Sequence, residues 1–156
     1  MKVDWQEICT LQLIDHSTLL LDSYKLLLGK DLITLTDSSE QNALNLYNSS
    51  VVILSHDGTK NPKFTYANST AQELWEIPWQ KFLGMPSKYS AEADEREQRE
   101  LLLKEVAEKG FIEDYKGIRI SSSGKRFYIE GVTVWNLIKD GQKVGQAATF
   151  GEWEFL

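Results

Sequence analysis

The feature that most narrows the fold lies in residues 111–150, where three strand-like segments are joined by two tight polar turns. Phe111-Ile-Glu-Asp-Tyr-Lys-Gly-Ile-Arg-Ile120 runs into Ser121-Ser-Ser-Gly-Lys125, and Arg126-Phe-Tyr-Ile-Glu-Gly-Val-Thr-Val-Trp135 runs to Lys139-Asp-Gly-Gln142. Val144-Gly-Gln-Ala-Ala-Thr-Phe150 follows. Strand-forming runs separated by short glycine-containing turns read as an antiparallel meander. Alternation puts Phe111, Glu113, Tyr115, Gly117 and Arg119 on one face and Ile112, Asp114, Lys116, Ile118 and Ile120 on the other. In the next strand Phe127, Ile129, Gly131, Thr133 and Trp135 oppose Tyr128, Glu130, Val132 and Val134. Neither strand has a clean apolar side. A bulge near Asp114-Tyr115 can switch the inward set, and both faces of the sheet need cover.

The chain holds the material for that cover. In residues 1–48 a helical pattern begins at Trp5, Ile8, Cys9, Leu11 and Gln12. Leu13, Leu20 and Leu27 then recur every seventh residue beside Ile14, Leu21 and Leu28. Gly29 is a candidate stop, and His16-Ser17 a candidate break that leaves one helix or two. Asp37-Ser38-Ser39 offers caps for a further helix in which Ala43, Leu44 and Tyr47 share a face. So much apolar surface is too much for a free tail. The expectation is an N-terminal helical extension, 1–48, packing on the remaining domain, 49–156, on a partner subunit in a homodimer, or on both.

After Asn48 the periodicity changes. Strands are expected near 51–55 and 63–67, and Asn68 or Ser69 can cap a short helix through Ala71, Leu74 and Trp75 that Pro78 ends. Trp79–Leu83 fits one more turn. Ser90 or Asp94 can open a longer helix to Lys109, with Leu102 and Val106 inward and Gly110 as its stop. Strands near 111–120, 126–136 and 143–150 complete an α+β fold with a five-stranded antiparallel sheet.

Bulk properties exclude several function classes. The formal charge of the 156 residues is −6 with both signs interspersed, which disfavours a broad nucleic-acid footprint. Cys9 is the only cysteine, so an intrachain disulfide and a multi-cysteine metal site are both excluded. His16 and His56 stand forty positions apart and give a metal site little support. No apolar run reaches the length of a membrane span, and no secretory leader is recognisable, so the simplest expectation is a cytoplasmic protein.

At Val51–Phe150 the sequence resembles the MEKHLA domain, a branch of the PAS-like proteins found in bacterial stand-alone forms and at the C-terminus of plant class III homeodomain–leucine-zipper proteins. The residues that carry the resemblance are Val52-Ile-Leu-Ser-His-Asp57, Phe64-Thr-Tyr-Ala-Asn68, Ala71, Leu74-Trp75 and Gly110-Phe-Ile-Glu-Asp-Tyr115. Denser matches are Gly117-Ile-Arg-Ile-Ser-Ser-Ser-Gly124, Thr133-Val-Trp-Asn-Leu137 and Gly145-Gln-Ala-Ala-Thr-Phe150. The resemblance implies a PAS-like fold, a five-stranded antiparallel sheet with short helices on one side. It implies a sensory or protein-interaction module that can bind a small ligand and signal through a homodimer or a separate output protein. It assigns no catalytic residues.

Individual motifs point to little chemistry. A light-oxygen-voltage photosensor needs an adduct-forming cysteine in its cofactor-side helix, and residues 68–109 have none. No cofactor is therefore expected, although a noncovalent flavin or another small ligand stays open. Ser55-His56-Asp57 has the residue types of a hydrolytic triad, but neighbours on an extended strand point to alternate faces. Ser121-Ser-Ser-Gly-Lys125 lacks the glycine framework and following helix of a phosphate loop, and reads as a hairpin turn. Glu92, Asp94, Glu95, Glu97 and Glu100, with Arg96 and Arg99 interleaved, read as a solvated helix start. The aromatic residues can fill a core or line a pocket. The pocket-lining candidates are Tyr66, Asn68, Trp75, Tyr115, Arg119, Trp135 and Asn136. The alternatives are a small-molecule-transforming enzyme and a purely structural dimerisation protein.

Overall fold

A computed structural model of the protein describes residues 2–156. Its first helix, α1 (Trp5–Ile8), is a single turn, and the break in the leader falls at Cys9-Thr10 rather than at His16-Ser17. The Thr10 hydroxyl accepts the Leu13 N–H at 3.1 Å and opens α2 (Leu11–Leu28). Inside α2 the Ser17 hydroxyl donates back to the Leu13 carbonyl at 2.8 Å, so the helix continues through it. Gly29, at φ 75°, ends α2 in the left-handed conformation that a Cβ would strain. Ser38 caps α3 (Ser39–Tyr47) by accepting the Gln41 N–H at 3.1 Å.

The sheet begins with β1 (Val52–Asp57) and β2 (Phe64–Ala67), followed by α4 (Ser69–Trp75), α5 (Trp79–Phe82), a 3₁₀ turn (Ser87–Ser90) and α6 (Ala93–Lys109). The meander is β3 (Phe111–Ile120), β4 (Arg126–Lys139) and β5 (Gln142–Phe150). All pairings are antiparallel, in the order β2-β1-β5-β4-β3. The five expected strands are present, and β6 (Glu152–Phe155) adds a sixth. It continues β5 along β4: Thr133 faces Thr149 and Glu130 faces Glu152, with the interruption at Gly151. Glycine at 151 reads as a strand end, but β4 is fourteen residues long and offers a pairing edge beyond it.

Two compensating slips decide which side chains face which layer. From Ile112↔Val134 to Tyr115↔Val132, β3 carries one extra residue, at Glu113-Asp114, where Asp114 has φ 61°. From Tyr115↔Val132 to Gly117↔Ile129 the extra residue is on β4, where Gly131 has φ 64°. Each slip exchanges the inward parity. Ile112 and Tyr115 therefore share one face, as do Phe127, Ile129, Val132 and Val134.

The sheet consequently separates two cores. On one face α4, α5 and α6 enclose Val52, Leu54, Trp75, Phe127, Val134 and Phe150. On the other, α2 and α3 bury Ile53, Tyr66, Trp135, Leu137 and Ala147 beneath Leu13, Leu20, Tyr24 and Leu46. Leu20 and Leu46 are fully buried, which explains why the leader is apolar along its length. Among the described residues, no helix is long and apolar enough to cross a membrane.

Candidate ligand-binding cavity

Helix α6 does not close completely on the sheet. Between them lies a cavity of about 60 Å³, room for roughly four water molecules. Its walls are apolar, from Leu54, Phe64, Trp75, Leu102, Ile129 and Phe150. Polar residues border it from five elements: Ser55 and His56 on β1, Ser90 at the end of the 3₁₀ turn, Arg99 on α6, Tyr115 and Arg119 on β3, and Gln146 on β5.

Each polar group is held by local structure. Arg99, 7% exposed, shares the inner face of α6 with Leu102, Leu103 and Val106 at helical spacing, and its Nη2 donates to Ser87 Oγ at 2.8 Å. Burial, assisted by the positive charge of Arg119, lowers its pKa to about 10, so it is a cation at neutral pH. Arg119, 6% exposed, donates from Nη1 to the Ile118 carbonyl at 2.8 Å and from Nη2 to Tyr115 Oη at 3.3 Å. Tyr115, Gly117 and Arg119 stand in line on β3, and Gly117 leaves the gap through which the outer two meet. A Cβ there would lie 2.9 Å from Tyr115 Oη and 3.0 Å from Arg119 Nη1.

The Nδ1 of His56 lies 2.8 Å from the Asp57 carbonyl, an acceptor, so Nδ1 carries the proton. Burial lowers the pKa of His56 to about 4, outweighing that hydrogen bond, and the ring is neutral. Gln146 Nε2 donates to the Leu103 carbonyl at 2.8 Å and to Asn136 Oδ1 at 3.2 Å. Trp75 Nε1 donates to the Ser90 carbonyl at 3.3 Å, and its ring meets Phe127 edge-on at 5.1 Å. The 121–125 turn braces this tryptophan: the Ser122 N–H donates to the Trp75 carbonyl at 2.9 Å, while Ser121 and Ser123 donate to the Glu76 carboxylate.

Of the seven candidates read from the sequence, Trp75, Tyr115 and Arg119 border this cavity. Asn136 stands one hydrogen bond behind it, through Gln146, and donates from Nδ2 to the Ala107 carbonyl at 3.4 Å. Tyr66 and Trp135 lie in the core under the leader helices. Tyr66 packs between His16 at 5.9 Å and Trp79 at 5.7 Å, and Trp135 meets Tyr24 at 4.9 Å. Tyr66 Oη and Trp135 Nε1 are buried with no hydrogen-bond partner. Asn68 is fully buried as a fastener, accepting from Ile53 N at 3.0 Å and Ala71 N at 3.1 Å while donating to the Val51 carbonyl at 2.8 Å.

Three cavity groups escaped the sequence reading: Arg99, His56 and Gln146. Arg99 was hidden in the charge-rich helix start, whose acidic members are indeed exposed or half-buried. One helical repeat back from Val106 reaches it, and that spacing was the available signal.

The serine, histidine and aspartate of β1 do not converge. Ser55 Oγ lies 2.8 Å from both His16 Nε2 and Thr65 Oγ1. His56 turns to the Asp57 backbone, and the Asp57 carboxylate accepts from Thr59 and Lys63 in the following turn. Among the described residues, no group of three or more histidine, cysteine or acidic side chains could hold a metal ion. Cys9 does not border the cavity; its Sγ lies 4.0 Å from Glu40 Oε1 in the leader.

A family model for the MEKHLA domain matches residues 14–155, taking in nearly all of α2, the whole of α3 and the sheet. The chain belongs to the MEKHLA family. Its fold is that of PAS domains. The PAS domain of a protein from Colwellia psychrerythraea is similar over 75% of this chain and 95% of its own, with a TM-score of 0.63 at 14% identity. A PAS domain from a two-component sensor histidine kinase matches 71% of this chain and 89% of its own, with a TM-score of 0.55 at 17% identity. A light-oxygen-voltage domain studied with a flavin analogue matches 77% and 86%, with a TM-score of 0.55 at 15% identity. Comparison with curated protein sequences finds no match.

Proposed function

We propose that this MEKHLA chain is a non-enzymatic sensory module that binds a small ligand between α6 and the sheet and passes the bound state to the N-terminal helical layer. The observation that carries this reading is the two-sided register of the sheet. Leu54, Ser55 and His56 border the cavity, whereas Ile53 packs in the core under the leader and the Ser55 hydroxyl reaches His16 of α2 at 2.8 Å. Val134 and Ala148 border the cavity, Trp135 lies beneath α2, and Ala147 borders the cavity while packing in the core under the leader. A ligand that shifts β1 or β4 therefore moves the bed on which α2 rests. The cavity and the PAS fold support ligand binding, and the divergent Ser55, His56 and Asp57 side chains support a role without catalysis.

In this reading residues 1–48 are the output segment and 49–156 the sensing domain. Leu11 and Leu26 on α2 are 80% and 68% exposed, and they give a homodimer contact or a cytoplasmic output protein an apolar foothold. The small volume favours a compact ligand. A flavin needs a pocket on the order of 300 Å³ or more, so Trp75 and α6 would have to draw apart to admit one.

The test is native mass spectrometry of the full chain purified without added cofactor, followed by a thermal-shift screen of metabolites with hydrogen exchange read on α2. A retained small molecule or a concentration-dependent rise in melting temperature, with altered exchange in α2, is the expected result. Retention of a flavin would assign the larger ligand. No shift with any compound and unchanged exchange would overturn the sensory reading.

A further inference from the structure

We propose that the ligand is a small organic carboxylate, its carboxylate held between Arg99 and Arg119 and its apolar body set against Phe64, Trp75 and Ile129. This rests on the ligand-binding reading above. The deciding observation is a charge imbalance. Arg99 and Arg119 are 7% and 6% exposed and border the same cavity. Among the described residues, no carboxylate lies within ion-pair distance of either. The six ion pairs use Lys2, Lys25, Lys30, Lys109, Lys125 and Arg126, all with side chains at least half-exposed or nearly so. A chain of net charge −6 thus keeps its acids outside and places two guanidinium groups together within.

The partners these groups do have are neutral: Ser87 Oγ for Arg99, and the Ile118 carbonyl and Tyr115 Oη for Arg119. Each guanidinium carries five N–H donors, so most point to no protein acceptor. Buried charges are ordinarily paired, because taking an unpaired ion out of water is costly. His56 is neutral, Gln146 commits its amide donor to Leu103 and Asn136, and the negative charge nearest in effect to Arg99 is that of the exposed Glu100, which makes no ion pair with it. An anion entering here meets two forks from two different elements, the arrangement that recognises a planar oxyanion.

The rest of the cavity selects among anions. Its walls beyond the arginines are aliphatic and aromatic, and about 60 Å³ admits only a few heavy atoms. A short or branched monocarboxylate satisfies both ends, whereas inorganic phosphate would leave the apolar wall unfilled.

The experiment uses the full chain in thermal-shift and NMR titrations with sodium acetate, propionate and isobutyrate. The neutral amides of the same acids, inorganic phosphate and sodium chloride at matched ionic strength run in parallel. The carboxylates should raise the melting temperature with the logarithm of their concentration, by about 5–10 °C at a hundredfold excess over Kd, while the amides and sodium chloride do not. Arg119→Gln, its fold checked by circular dichroism, should weaken carboxylate binding at least about tenfold, as expected for loss of a charge-assisted fork. Should that variant not fold, the contrast between acid and amide on the native chain decides alone. Equal binding of the amides, or undiminished binding by folded Arg119→Gln, overturns the carboxylate assignment and leaves the small-ligand reading standing. Binding of phosphate alone removes the carboxylate class. Silence from these probes together with the metabolite screen removes both readings.

Discussion

Replacing Asn68 by alanine should cost about 3 kcal/mol of folding stability. The side chain is fully buried where β2 turns into α4, and it joins three elements. Its Oδ1 caps α4 through the Ala71 N–H at 3.1 Å and also accepts the Ile53 N–H of β1 at 3.0 Å. Its Nδ2 donates to the Val51 carbonyl at 2.8 Å and to the Leu46 carbonyl at the end of α3 at 3.4 Å. Loss of a helix cap costs about 1 kcal/mol. An additional buried N–H left without an acceptor costs about 1–3 kcal/mol, and two carbonyls also lose a donor. The sum is a large part of a total stability of about 5–15 kcal/mol. Urea denaturation followed by far-ultraviolet circular dichroism measures it, with the slope checked against the parent so that midpoint shifts convert to free energy. Asn68→Asp separates the contributions, because it keeps both acceptor bonds, removes both donor bonds and buries a charge. It should also destabilise. A loss below about 1 kcal/mol for the alanine variant, outside the 1–3 kcal/mol of even one orphaned group, would refute the fastening role.

Further outcomes follow from the two cores. Burial holds His16 and His56 at a pKa of about 4, against 6.5 for an ordinary histidine. The unfolded chain then binds more protons between pH 6.5 and 4, so stability should be level above that window and fall on acidification by up to about 1.4 kcal/mol per unit for each ring. Urea midpoints from pH 7.5 to 4.5 measure the slope, and His56→Gln should roughly halve it; a flat profile contradicts neutral buried rings. Tyr66→Phe removes a buried hydroxyl that has no partner, and should leave stability unchanged or raise it by about 1 kcal/mol by the same denaturation measurement. Gly117→Ala should change stability by under about 1 kcal/mol, the usual range for strand residues, because the atoms in its way are side-chain ends. It should nevertheless part Tyr115 from Arg119 and weaken ligand binding in the titration above. A chain beginning at Gln41 would uncover Trp135, Tyr66 and Leu137, and should aggregate or bind a hydrophobic dye in light-scattering and fluorescence assays.

Much of this architecture is written in local chemistry, and the sequence alone determined it. Strand alternation, the Ser121–Lys125 turn, and Gly29 and Gly110 after helical runs specify their elements without reference to distant residues, because turn and cap preferences act over a few positions. The apolar leader and the two-sided meander already required each other. Trp75, Tyr115 and Arg119 could be picked out as polar or aromatic groups near the expected sheet–helix interface. Tertiary structure decided the rest. The slips at Asp114 and Gly131 move inward-facing positions by one residue, and only pairing between strands creates them. Tyr66 and Trp135 went beneath the leader because a strand residue's face is set by its register against partners far along the chain. Arg99 reads as one charge among many on an acidic helix until α6 lies across the sheet. Its approach to Arg119 joins residues from different elements. Local preferences choose helix, strand and turn within a few residues, whereas a cavity and its charge arise from surfaces that meet only when the chain has folded.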